Sequence, residues 1–273
     1  MEGVKLQSPP CQECLDTFRE NTRLVLGLAA VPGFSFLIMM QWTEAGTKAA
    51  IEVFGNEYVT KLPRATPDEA RRHFDLCNEH MASIVSERSP LQHSNLEFAT
   101  KQLEQLVMSS GAYAHGMFEG VLKTIVIQSW AAFEALTRML WEKISQSGNR
   151  SVVLPTDKQW RKDQLGFGSR GRMRKTFDFA FTVDNAAIQS ALHRAAIDPL
   201  AVLRNVIVHH VGRIDQDFKD HSDGLAILEP YRLQDLNTPI EVDGVLVQSV
   251  VDPAISSGYS LIRAIDNWIT SHP

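Results

Sequence analysis

Apolar residues recur at three- and four-residue steps over much of the chain, and the pattern breaks at residues that start or stop helices. From Gly111 to Gln146 the stripe includes Phe118, Leu122, Ile125, Phe133, Leu136 and Leu140. It is wide enough to be buried on more than one side of one long helix, which Ser147-Gly148-Asn149 stops. Thr66-Pro67-Asp68-Glu69 supplies a cap, a first-turn proline and a capping-box glutamate, so a helix is expected from there to about Arg88, ending at Ser89-Pro90. A second helix is expected over Asn95–Ser110. Helices resume near Arg172–Phe181 and Asn185–Arg194. The next has Asp198 as cap, Pro199 as first helical position and Gly212 as stop, with Leu200, Leu203, Ile207 and Val211 along one face. Val251–Ile269 closes the chain as an amphipathic helix.

Elsewhere the pattern reads as strand. After a helix over Cys11–Thr22, Phe34–Trp42 and Lys48–Phe54 are expected as strands separated by Glu44-Ala45-Gly46. Near the other end, Ile240-Glu241-Val242 and Val245-Leu246-Val247 flank Asp243-Gly244, a two-residue hairpin signal. The expected fold class is therefore mainly α: a helical domain over residues 66–273 with a C-terminal β-hairpin, preceded by a small mixed α/β region over residues 1–65. Leu24–Trp42 is apolar and about the length of a membrane span, but Pro32, Gly33 and Ser35 interrupt it. Val31-Pro32-Gly33 reads as a turn between buried strands, so a membrane contact is not expected. Exposure of this stretch in the fold would instead mark a protein or membrane contact.

Composition narrows the class. A chain of 273 residues that is 44% hydrophobic and 22% charged is an ordinary globular protein, long enough for a core without disulfide or metal staples. A net charge of −5 argues against coating nucleic acid through a broad basic surface, while leaving room for a local basic site. Cys11, Cys14 and Cys77 are too few for a disulfide framework and point to a reducing cytoplasm. The first residues lack the basic and apolar regions of a signal peptide. Cys11 and Cys14, with His73, Cys77 and His80, invite a zinc reading. Only one pair has ligand spacing, however, so neither metal nor cofactor is expected. No Ser-His-Asp site, phosphate-binding loop or dinucleotide glycine motif is visible.

The chemistry-bearing segment is Arg204-Asn205-Val206-Ile207-Val208-His209-His210-Val211-Gly212-Arg213-Ile214-Asp215. At 100° per residue, Arg204 and His209 lie about 140° apart around a helix, whereas Asn205 and His209 share a face. An Arg and a His on one helix mean little alone. Here the segment resembles the last core helix of HEPN domains, which carries an Arg-x4–6-His motif whose Arg is commonly followed by Asn. Ser129-Trp130-Ala131-Ala132-Phe133-Glu134 resembles that family's earlier core helix. The resemblance covers roughly residues 95–270 and leaves residues 1–65 unexplained.

The resemblance implies a homodimer with these helices facing each other, so that a site of two Arg and two His exists only in the dimer. It further implies metal-independent endoribonuclease activity, with Arg204, His209 and Asn205 catalytic. Such proteins often act as toxins or defence effectors restrained by an antitoxin-like partner protein. Other HEPN domains bind RNA or nucleotides, or simply assemble, without cutting. The residue types suit RNA cleavage. Histidine moves protons near neutral pH, arginine stabilises charge building on phosphoryl oxygens, and the 2′-OH supplies the nucleophile. Cleavage of this kind leaves 2′,3′-cyclic phosphate and 5′-hydroxyl ends.

Supporting residues follow. Glu134, an acid in an apolar stripe, is expected to contact Arg204 or His209. His210 and Arg213 are expected at a phosphate; the alternative is a solvated helix end. Arg161-Lys162, Arg170, Arg172 and Arg174-Lys175, interleaved with Trp160, Phe167 and Phe177, fit either an RNA-tracking loop whose aromatics stack on bases or a mobile solvated loop.

Overall fold

The computed structural model describes residues 6–87 and 112–272, excluding the side chains of residues 29–37, 85–87 and 112–117. Among the described residues the chain is mainly helical and has no strand. In order, the helices are α1 (Pro9–Phe54), α2 (Tyr58–Lys61), α3 (Pro67–Glu87), α4 (Ala112–Gln146), α5 (Asp157–Lys162), α6 (Arg170–Ala180), α7 (Ala186–Ala191), α8 (Arg194–His210), α9 (Gln216–Ser222), α10 (Glu229–Arg232) and α11 (Gly244–Ser271). The helix expected over Asn95–Ser110 lies outside the described residues. Contacts group the chain into two units: residues 1–26 with 119–273, and residues 27–118. The boundary expected near residue 65 falls inside the second.

In the first unit, α11 packs against α7 and α8, and α9 packs against α8. Leu136 and Leu140 of α4, Leu200 and Leu203 of α8, and Leu261 and Ile265 of α11 are fully buried. These belong to the stripes that the sequence spacing predicts, but Ile207 is only half-buried and Val211, expected on the same face of α8, is 82% exposed beyond its end. The start of α1 is tied to α11: the backbone N–H groups of Gln7 and Ser8 donate to the two carboxylate oxygens of buried Asp266, at 2.9 and 2.7 Å. The first turn of α1 has no acid of its own, and Asp266 supplies the negative charge that a helix N-terminus favours. Further along, Phe18 meets Tyr259 edge-on and lies over Gly258, whose missing side chain makes the room.

In the second unit, the later part of α1 and α3 share a small core of Ala45, Ala49, Cys77 and Ile84, with Leu76 and Met81 packed on it. His73 Nε2 donates to the Gly46 carbonyl at 3.0 Å, and His80 pairs with Glu52 at 2.8 Å. The Thr66 capping box is present: Glu69 Oε2 accepts from both Thr66 N and Thr66 Oγ1.

Four expectations are corrected. The strands at Phe34–Trp42 and Lys48–Phe54, and the turn at Val31-Pro32-Gly33, are instead parts of the continuous helix α1. A short apolar run carries no period of its own, and here the helix on either side decides it. The C-terminal hairpin is absent. Asp243 is the N-cap of α11, its Oδ1 accepting from Leu246 N at 2.7 Å, and Val245-Leu246-Val247 is helical. Residues before Asp243 run beside the end of α8 through Ile214 N to Thr238 O and Ile240 N to Gly212 O, with an isolated antiparallel bridge between Arg213 and Pro239. Helix α8 starts at Arg194 with His193 as cap, so Pro199 is internal and Asp198 caps nothing. Finally, much of the segment read as loop between Trp160 and Lys175 is helical, in α5 and α6.

Candidate functional site

Helix α8 carries the Arg204–Asn205–His209 motif on its last two turns. The helix ends with Val211 in the left-handed region (φ 55°) and Gly212 at φ 72°. Gly212 N donates to Val206 O at 2.9 Å, closing the reversed turn that satisfies the last carbonyls. Gly212 was therefore legible as a stop, although the left-handed residue at the helix end is Val211.

Three groups of the motif meet. Arg204 Nη1 donates to Asn205 Oδ1 at 3.0 Å and lies 3.3 Å from His209 Nε2. A guanidinium has only hydrogens to offer. If the contact is a hydrogen bond, Nε2 is the acceptor. The long arginine side chain spans the angular offset between positions 204 and 209, so the two groups converge within one subunit. Arg204 and Asn205 are half-buried and His209 is exposed. Exposed Val208 and Val211 flank the histidine, Val211 at 82% exposure.

The neighbouring residues take other partners. His210 Nε2 lies 3.1 Å from Asp215 Oδ2, which makes an ion pair when the ring is protonated. Asp215 also caps α9 by accepting from Phe218 N. Arg213 Nη1 donates to Asn237 O at 2.8 Å. Asn205, His210, Asp215, Arg170 and His221 line a cleft of about 10 Å³, which is too small for a nucleotide. Glu134 bonds to Arg138 one turn along α4, at 2.8 Å, in place of the expected contact with Arg204 or His209. One helical turn already offered the acid a cation.

The basic segment divides. Asp198 on α8, with a side chain only 4% exposed, receives Arg170 Nε at 3.2 Å, Arg174 Nη2 at close range and Arg194 Nε at 3.5 Å. Arg174 Nε also donates to Leu192 O at 2.7 Å. Arg170 and Arg174 therefore tie α6 to α8, whereas Arg172 is exposed. The aromatics of this segment pack on one another: Trp160 on Trp141, Phe167 on Trp141 and Phe177, and Phe177 on Phe181. Phe177 has no exposed surface, so no base can stack on it. The central role of Asp198 was missed in the sequence, where it read as a cap. The signal for it was Arg194, four residues earlier on what proves to be the same helix.

The cysteines and histidines raised for zinc have other surroundings. Cys11 and Cys14 are buried in the first unit, and burial pushes their thiols up to about 11 and about 12. His73 and Cys77 belong to the α1–α3 core of the second unit. Among the described residues, no three His, Cys, Asp or Glu groups come together as a metal site.

No family model matches the chain, and neither the curated proteins nor the solved structures contain a match.

Proposed function

We propose that the chain is a metal-independent endoribonuclease of the HEPN kind, acting as a homodimer in the cytoplasm as a toxin or defence effector under a restraining partner. The observation that carries this reading is the meeting of Arg204 Nη1, His209 Nε2 and Asn205 Oδ1 on the exposed end of α8. The resemblance of the Arg204-to-Asp215 segment to HEPN domains supplies the reaction class.

The geometry fits a defined sequence of proton movements. In the free protein the lone pair of His209 Nε2 is engaged by Arg204. A phosphodiester bound to the guanidinium draws those hydrogens to its non-bridging oxygens and frees Nε2. That nitrogen then takes the proton of the 2′-OH as its oxygen attacks phosphorus. The P–O5′ bond breaks, and the 5′-oxygen leaves with a proton from the second subunit's histidine, which enters the step as the imidazolium and ends it neutral. Arg204 faces the charge that builds on phosphorus. Asn205, holding the guanidinium from one side, is a positioning residue. Val208 and Val211, apolar and exposed beside His209, favour a second subunit at this helix end.

The test uses the full chain and its Arg204→Ala, His209→Ala and Asn205→Ala variants on mixed RNA in excess chelator. The expected result is cleavage by the parent with cyclic-phosphate ends, none by the first two variants, and a weakened rate in the third. A 2′-deoxy substitution at the cut nucleotide should block cleavage there. Equal RNA binding by all four proteins with no cutting would establish a non-catalytic binding module instead. Products ending in 3′-hydroxyl would refute the mechanism.

A further inference from the structure

Seven cations and one acid fall between Lys158 and Lys175, in a chain whose net charge is −5. Two of the seven, Arg170 and Arg174, are taken up by Asp198. The other five, Lys158, Arg161, Lys162, Arg172 and Lys175, are exposed and form no ion pair among the described residues. Helix geometry makes the division. Arg170 and Arg174 lie about 40° apart around α6, on the side that meets Asp198. Arg172 and Lys175 lie about 60° apart and about 150° away from them. On α5, Lys158, Arg161 and Lys162 fall within about 100° of one another and line one open depression with Asp157. Trp160 points away from them and packs on Trp141.

The connection between α5 and α6 brings the two groups of cations near each other. Gly166 N donates to Thr176 Oγ1 at 2.8 Å, and Thr176 lies about 40° from Arg172 around α6. Lys162 is four residues from Gly166, a reach of at most about 14 Å. Phe167 sits in this connection, half-buried on Trp141 and Phe177. A side chain added at Gly166 or Gly168, on either side of it, would meet open space. The ring is therefore approachable from solvent, between the cations of α5 and those of α6.

We infer that α5, the outer side of α6 and their connection hold a single-stranded segment of RNA, with its phosphates on the five cations and a base against Phe167. Cations about 5–6 Å apart on a helix face can follow a phosphodiester chain. An aromatic ring among them favours a strand with unpaired bases over a duplex or an acidic protein. Because Asp198 ties α6 to α8, a strand held here is tethered to the unit that carries Arg204 and His209. The choice of RNA rests on the ribonuclease reading; the surface itself does not.

The test follows fluorescence anisotropy of a labelled 2′-O-methyl uridine oligonucleotide, which has no 2′-OH nucleophile and cannot be cut, between about 50 and about 200 mM salt. For single strands each phosphate contact adds about 0.7 to the slope of log affinity against log salt. Lys158→Gln/Arg161→Gln/Lys162→Gln should flatten that slope by about 2, and Arg172→Gln/Lys175→Gln by about 1.4. Both variants should melt with the parent, as exposed substitutions do. Phe167→Leu, which keeps an apolar group on Trp141, should weaken binding at least about fivefold with the slope unchanged. A parent that does not bind the oligonucleotide, or a slope that survives both sets of substitutions, overturns the inference. So does a surface that takes anionic vesicles or a polyglutamate peptide in preference to the oligonucleotide. A parent that binds through these residues and cuts no RNA would refute the ribonuclease reading and leave this one standing.

Discussion

Replacing Asp198 by asparagine should be among the most damaging single changes in the first unit. The substitution keeps the shape of the side chain and removes one negative charge. What remains is Arg170, Arg174 and Arg194 around a neutral amide, with side-chain exposures of 16%, 25% and 52%. Breaking a buried ion pair by removing one partner costs about 3–5 kcal/mol, chiefly through the uncompensated charge left behind. Arg194 is half in water and can turn away, which lowers the figure. Arg170 and Arg174 cannot do so without giving up the contact between α6 and α8, so about 3 kcal/mol stands as the working value. Domains hold only about 5–15 kcal/mol in all. In a domain of this size each kcal/mol moves the melting midpoint by about 2–4 °C, so the expected fall is about 6–12 °C. Urea unfolding followed by circular dichroism, with calorimetry alongside, measures both quantities. Arg194→Gln serves as the control and should cost less than about 1 kcal/mol, because that arginine is largely solvated. A loss below about 1 kcal/mol for Asp198→Asn, or equal losses for the two variants, would refute the view that this carboxylate is the charge centre of the α6–α8 contact.

Other outcomes are as definite. Gly258→Ala should destabilise by about 1–3 kcal/mol through overpacking, since a Cβ there would lie 2.4 Å from Phe18 Cζ; an unchanged melting temperature would show that Phe18 moves freely. Val211→Gly should stabilise by about 1 kcal/mol in a denaturant titration, because it relieves a left-handed β-branched residue that is already 82% exposed. Asp243→Ala should cost about 1 kcal/mol by removing the cap of α11; a variant as stable as the parent would argue against that cap. The buried thiols of Cys11 and Cys14, pushed up to about 11 and about 12, should resist a thiol-reactive disulfide reagent at pH 8 until the chain is unfolded. Their linkage has a fixed sign. The folded chain keeps these protons where the unfolded chain loses them, so this contribution is full below about pH 8.5 and declines as pH rises toward 11. A Cys11→Ala/Cys14→Ala chain should lose that part of the slope.

What the sequence disclosed and what it hid divide along a physical line. Features resting on several local signals at once survived. The long stripe of α4 has a period, a length and a stop signal that agree, and in the Thr66 box Thr66 N donates to Glu69 Oε2 while Glu69 N donates back to Thr66 Oγ1. Features resting on a single dipeptide did not. Asp243-Gly244 serves a hairpin as well as a helix start, and the choice falls to packing: Leu246, Val247, Val250 and Val251 are buried, which a surface hairpin would not achieve. Val31-Pro32-Gly33 failed in the same way: the three residues lie inside the continuous helix α1. The candidate site shows both sides of the line. Arg204, Asn205 and His209 were proposed from spacing and resemblance, while their mutual contact depends on an arginine rotamer that no spacing encodes.

Asp198 explains why the basic segment was harder to read than the motif. Counted as charges, Arg170, Arg172 and Arg174 make a patch fit for a polyanion. A single acid 24 residues after Arg174 takes two of the three into an internal contact and leaves Arg172 facing solvent. That acid lies six positions before Arg204 on the same helix, so the pairing that subtracts from the basic surface also anchors the helix presenting Arg204 and His209. The two effects are separable in one comparison. If Arg170 contributes mainly through Asp198, Arg170→Gln should lower stability and leave the salt dependence of RNA binding unchanged, whereas Arg172→Gln should do the reverse. A shallower salt slope in Arg170→Gln would place that residue on the RNA-binding surface proposed above and limit the role of Asp198 to its other two arginines.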